Sequence, residues 1–163
     1  MFGRILVPLD GSELAEQVLP YVEDLARRLG AEVFFIQAID VAPSLMAMEP
    51  NVGIMVDPNV ISEQLDAEAA AAESYLSELA AAWRARGIDA KWFVVRGAAA
   101  ASVVDFAHSH QVDLIAMSTH GRSGLGRLVF GSVADEVLRE AGVPVLLIKP
   151  EKGAAGKPSR EPR

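Results

Sequence analysis

The chain has 163 residues, about half of them apolar, with no cysteine and a net charge of −7. That length suits one domain with a real core. The missing cysteines exclude a disulfide framework, a thiolate nucleophile and a thiolate metal site. The acidic balance argues against nonspecific nucleic-acid binding through the body of the protein, and no apolar run approaches the length of a membrane span.

Taken in order, Ile5 to Leu9 reads as a buried strand that follows the N-terminus directly, without the apolar core and cleavage site of a signal peptide, so the expected location is the cytoplasm. Asp10-Gly11-Ser12 is a turn, and Ser12 is suited to cap the next helix. That helix is expected from Glu13 to Leu29, with Leu14, Val18, Val22, Leu25 and Leu29 facing inward, Pro20 bending it or distorting its second turn, and Gly30 ending it. Val33 to Ile39 is a second strand, apolar along most of its length. Residues 41–56, rich in proline and methionine and without a clear period, read as a mobile surface loop. The competing reading is a lid whose Leu45, Met46, Met48 and Met55 offer an adaptable apolar face.

Asp57-Pro58 starts a long alanine-rich helix that runs to Arg86 and stops at Gly87. Its inward stripe is Leu65, Ala69, Ala72, Leu76, Leu79 and Trp83, with Trp83 read as packing. Trp92 to Val95 is a third strand, Ala98 to His110 a helix with Val103, Val104 and Phe106 inward, and Asp113 to Met117 a fourth strand. His108 and His110 sit at a helix end, where cations are favoured, and no metal is assigned to them. A glycine-rich loop follows the fourth strand. It leads into a helix whose inward face is Val133, Val137 and Leu138, flanked by Ala134 and Ala141. Val145 to Ile148 is a fifth strand, and residues 150–163 read as a disordered tail.

The strict alternation of strand and helix predicts an α/β fold: a single-domain, Rossmann-like, three-layer arrangement with a five-stranded parallel sheet in the order 3-2-1-4-5. The winding reverses between strands one and four, where such sheets bind ligands. The glycine loop contains Gly121, Gly124, Gly126 and Gly131, and the helix beginning at Gly131-Ser132 offers free N–H groups and the positive end of its dipole. Neither a P-loop nor a dinucleotide fingerprint fits: Arg127-Leu128 stand where lysine and a hydroxyl are required, and Val129 stands for the third glycine. On the residues alone the loop reads equally as a tight turn or as a phosphate cradle. Its meeting with Asp10 at one crevice favours the cradle.

Four segments together resemble the universal stress protein family over residues 1–149: ILVPLDGS at 5–12, DLIAMSTHGRSGLGR at 113–127, GSVADEV at 131–137 and VPVLLIK at 143–149. The ATP-binding branch of that family carries a glycine, two residues, a glycine, nine residues, then glycine with Ser or Thr. Gly121 and Gly131-Ser132 match, and Ser118 replaces the first glycine. The resemblance implies that Pro8, Leu9 and Asp10 line the adenosine side and that Ala38 contacts adenine through its backbone. It places Met117 and Ser118 under the ribose and phosphates, and Gly121, Arg122, Gly131, Ser132 and Val133 on the phosphates through N–H groups.

The ligand implied is ATP, with ADP and AMP as the other candidates and Mg2+ or Mn2+ carried by the nucleotide. On the residues alone Asp10 reads also as a turn acceptor and Ser132 also as a helix cap. No nucleophile has a neighbouring base, so the expected activity is at most weak ATP hydrolysis. The leading expectation is a regulatory nucleotide sensor. Its rivals are a dimeric interaction module that binds no nucleotide and, far behind, an ATP-using transferase or hydrolase. The apolar edge strand Val145–Ile148 predicts a homodimer, which the family resemblance also implies.

Overall fold

The computed structural model describes residues 2–40, 58–119 and 131–149. The elements are β1 (Arg4–Pro8), α1 (Glu13–Glu16), α2 (Leu19–Leu29), β2 (Glu32–Ile39), α3 (Pro58–Ala85), β3 (Ala90–Arg96), α4 (Ala99–Ser109), β4 (Leu114–Ser118), α5 (Ser132–Glu140) and β5 (Val145–Ile148). The strands form one parallel sheet in the order β3-β2-β1-β4-β5. The alternation of elements thus yields the expected three-layer α/β fold.

Alternation along each strand feeds two cores. Ile5, Val7, Val33 and Phe35 meet Val18, Val22, Leu76 and Trp83 on one face, so α1, α2 and α3 lie there. Leu6, Phe34, Ile36 and Ile115 meet Val103, Phe106 and Val137 on the other, under α4 and α5. Trp83 is fully buried and stands edge-on to Phe35 at 5.0 Å between ring centres, a favourable aromatic geometry. It is packing, as read from the sequence.

The helix expected over residues 13–29 is two helices. Proline has no N–H to give the preceding turn, and Pro20 instead stands in the first turn of α2, with the break at Gln17-Val18 before it. The inward line is therefore Ala15, Val18, Val22 and Ala26, whereas Leu14 is only half-buried and Leu29 is 41% exposed. Gly30 takes a left-handed conformation (φ 64°), its N–H and that of Ala31 both bond to the Ala26 carbonyl, and Ala31 fills the buried place after the helix end.

A second correction concerns α5. Its buried line is Ala134, Val137 and Ala141, while Leu138, turned about 100° from Val137, is exposed. In α3 the expected stripe holds at Leu65, Ala72, Leu76 and Trp83, and Ala80 joins it fully buried. The segments 41–56 and 150–163 and the capping residue Asp57 lie outside the described residues.

The contrast between Trp83 and Leu138 gives a stability test. Trp83→Ala empties a closed site and should cost about 3–5 kcal/mol, read from urea unfolding midpoints. Leu138→Ala, on an exposed face, should change stability by no more than about 0.5 kcal/mol.

Candidate functional site

The carboxyl ends of β1 and β4 lie side by side, because Ile5 pairs with Leu114 and Leu6 with Ile115. From β1 the chain departs to α1 on one face; from β4 it leads to α5 on the other. Between these departures opens a cleft of about 930 Å³. Every expected ligand residue that is described lines it: Pro8, Leu9, Asp10, Ala38, Met117, Ser118, Gly131, Ser132 and Val133. Gly121 and Arg122 lie outside the described residues, as do His120 and Arg127.

On the β1 side, Leu9 N–H bonds to the Ile36 carbonyl (2.9 Å), extending the β1–β2 pairing beyond Pro8. Gly11 then turns with φ 75°, a conformation that glycine adopts without Cβ strain. Asp10 Oδ1 accepts from the Ser12 N–H (2.9 Å) and the Ser12 hydroxyl (2.6 Å), and Ser12 Oγ in turn accepts the Ala15 N–H (3.1 Å), capping α1. The turn-acceptor role read from the sequence is thus real. A carboxylate has lone pairs beyond those on Oδ1 that hold this turn.

On the β4 side, Met117, Ser118 and Thr119 are all buried. The Ser118 hydroxyl faces the Ala15 carbonyl at 3.5 Å, the outer limit of a hydrogen bond, so it is directed at α1. Thr119 was not singled out in the sequence, yet it joins three elements. Its N–H bonds to the Ile148 carbonyl (2.9 Å), and its carbonyl accepts the Gly131 N–H (2.8 Å) at the start of α5.

Gly131 is the N-cap of α5, which makes Ser132 the first helical residue and not the cap. Glycine has no side chain with which to cap the helix. The Ser132 and Val133 N–H groups meet no acceptor among the described residues, whereas the Gly131 N–H is engaged. Glycine is required at 131 for space as well: a Cβ would stand 3.0 Å from the Thr119 carbonyl oxygen. Asp135, in the first turn, pairs with Arg139 (3.0 Å).

The third wall comes from α3, and sequence reading did not find it. Gln64, Glu68, Ala71, Ala72 and Tyr75 line the cleft opposite Gln37 and Ile39 of β2. The Tyr75 hydroxyl donates to Glu16 (2.8 Å), tying α3 to α1. Burial pushes the Tyr75 phenol well above its usual value, with help from the hydrogen bond to Glu16 and the charges of Glu16 and Asp10. Gln37 carried a signal in the sequence, as a polar residue inside an apolar strand. Tyr75, beside Leu76 on a long helix, carried none, since only packing shows which flank of the stripe meets the cleft.

His108 and His110 lie elsewhere. His108 Nε2 lies 2.9 Å from the Ala141 carbonyl, and His110 stacks on Phe106 at 3.7 Å. Among the described residues no cluster of acidic and histidine side chains could hold a metal ion, and no helix is long and apolar enough to cross a membrane.

Residues 1–149 match the model of the Universal stress protein family. A universal stress protein of Methanocaldococcus jannaschii is 32% identical over 154 residues, covering 93% of this chain and 85% of the relative. A solved structure of another Methanocaldococcus jannaschii protein superposes with a TM-score of 0.81 at 25% identity, over 94% of this chain and 99% of that one. The universal stress protein from Archaeoglobus fulgidus in complex with dAMP superposes with a TM-score of 0.56 at 26% identity, over 91% and 100%.

The Tyr75 contact makes a prediction about pH. Because the folded state holds the phenol protonated above its ordinary value of 10.0, the native protein binds more protons than the unfolded chain once pH passes that value. Stability from this group is fully present below about pH 10 and is lost as pH rises further. Tyr75→Phe should lower stability at pH 7 by about 1 kcal/mol and flatten the alkaline limb, as read by urea unfolding between pH 7 and 11.

Proposed function

We propose a function from one premise: the chain belongs to the universal stress protein family. It is a stress-response protein whose cleft binds an adenine nucleotide, ATP first, with ADP and AMP as the alternatives. The observation that carries this reading is the uncapped first turn of α5 opening into the cleft that Asp10 borders. Positive dipole and unengaged N–H groups there suit a phosphate. In this reading Ser132 and Val133 hold phosphate through their N–H groups, with the Ser132 hydroxyl adding one donor. Gly121 and Arg122 complete that end.

Gly131 contributes space, and Met117 and Ser118 form the floor. Pro8, Leu9, Asp10 and the Ala38 backbone take the nucleoside. The dAMP complex of the Archaeoglobus fulgidus relative supports the adenine part. Any Mg2+ or Mn2+ enters with the nucleotide. With no nucleophile–base pair at the described part of the cleft, hydrolysis is slow at most, and occupancy itself is the output.

Thr119 supplies a route for that output. It bonds Gly131 at the phosphate end and Ile148 at the end of β5, so a shift of the α5 start bears on the sheet edge. We place a homodimer interface on that edge. The carbonyls of Pro144 and Ile148 face β4, so by alternation the backbone groups of Val145 and Leu147 point off the sheet. We further place the protein in the cytoplasm, without nucleic-acid partners, with 1–149 as the working domain and 150–163 as a tail. A second reading, a dimeric interaction module without nucleotide, is favoured by one feature: the buried Ser118 side chain where the ATP-binding motif has glycine.

Mass spectrometry of small molecules released on denaturing the purified protein, then calorimetry with Mg-ATP, tests the first reading. Ser132→Asp keeps a good residue at a helix start but sets a negative charge against the phosphates. It should weaken ATP at least about tenfold, a loss of about 1.4 kcal/mol, while leaving adenosine binding unchanged. Unaltered ATP affinity would remove phosphate from α5, and no nucleotide binding by the wild type would leave the second reading. For the interface, Val145→Pro removes an outward N–H without touching the β4 ladder. It should convert dimer to folded monomer in sedimentation, and a variant that stays dimeric would place the interface elsewhere.

A further inference from the structure

Gln37 stands on the strand face otherwise occupied by Val33, Phe35 and Ile39, all buried in apolar cores. Its backbone is held in register with Val94 of β3. Its side chain lines the cleft. The Oε1 atom is shielded from solvent and accepts no hydrogen bond from any described residue; among the described residues it is the one buried side-chain polar atom so left. An unmade hydrogen bond at a buried amide oxygen is costly, and a position flanked by Phe35 and Ile39 would be more stable with an apolar residue. Among the described residues nothing satisfies this oxygen, so it is open to a bound group.

The surroundings indicate its chemistry. Glu68, Asp40 and Asp10 also line this cleft. The Tyr75 hydroxyl already donates to Glu16, and the Gln64 amide lies 3.4 Å from Glu68 as a donor. The cleft is rich in acceptors, so it suits a ligand group that brings hydrogen-bond donors. Position limits the group further. Gln37 on β2 is two strands from Ser118 on β4, roughly 10 Å at the usual spacing, and lies on the sheet face opposite the one α5 covers. With phosphate at the start of α5, the part of a nucleotide that reaches this far is the base.

We propose that the Gln37 carboxamide reads the exocyclic amino group of an adenine base. This rests on the nucleotide reading above. Oε1 accepts from the amino group, and Nε2 can donate to the neighbouring ring nitrogen, the two-point match that a glutamine side chain makes with adenine.

The experiment compares ATP, purine riboside triphosphate (which lacks the amino group) and 2′-deoxy-ATP by calorimetry on the full chain, wild type and Gln37→Leu. The wild type should bind ATP about tenfold tighter than the desamino analogue, the worth of one net hydrogen bond. Gln37→Leu should bind the two alike and show an unchanged ratio of ATP to 2′-deoxy-ATP. The ligand-free variant should melt about 2–4 °C higher, because an unpaired buried acceptor has been replaced by an apolar side chain of similar size.

Equal wild-type affinity for ATP and the desamino analogue overturns the role of Gln37 and leaves nucleotide binding standing, and this result needs no variant. A Gln37→Leu effect that tracks the 2′-hydroxyl assigns the donor to the ribose and overturns the base assignment. A lower melting temperature for the variant shows that Gln37 serves the fold and overturns the proposal. Absence of binding by the wild type to all three overturns the nucleotide reading and this proposal together.

Discussion

Leu6 faces Ile115 and Ile5 faces Leu114 across the centre of the sheet, and this parallel pairing is where the winding of the chain reverses. Right-handed crossovers send the segment after β1 to one face and the segment after β4 to the other. The two departures leave a crevice that no side chain has to be hollowed out to make. The Asp10 turn, the Ser118-Thr119 end of β4 and the first turn of α5 all border it. A change that slipped β4 by one residue would exchange its faces, turning Leu114, Ala116 and Ser118 away from α1–α3.

The polar groups around the crevice divide into those that hold it open and those without a partner among the described residues. Asp10 Oδ1 and Ser12 satisfy one another and the start of α1. Thr119 clamps the sheet edge to Gly131. Tyr75 and Glu16 join α3 to α1 across the rim. Against these satisfied groups, the uncapped start of α5 and the Gln37 amide oxygen stand out. Both open into the same cleft.

How much of this was legible beforehand depends on the range over which each feature is decided. Periodicity in the apolar residues sufficed for the strands, the strand order and most of the core, since burial on one or two faces dictates residue type every second or every 3.6 residues. It failed at Leu29 and Leu138. There the pattern continued past the point where a helix end or its rotation removed the residue from the sheet, and small residues, Ala31 and Ala141, took the buried places.

Asp10 could be placed from the sequence because it follows a strand end, and chain order brings strand ends to the switch point; Pro8, Leu9, Met117, Ser118 and Val133 came from the family resemblance. By itself, then, the sequence determined the layers, the winding and the place of the cleft, all consequences of local patterning and chain connectivity. Only the tertiary structure decided the third wall on α3, the engagement of the Gly131 N–H by Thr119, and the solitary amide of Gln37. These depend on which side chains meet across distances of tens of residues, where hydrogen bonds are made or left unmade by packing and not by spacing along the chain.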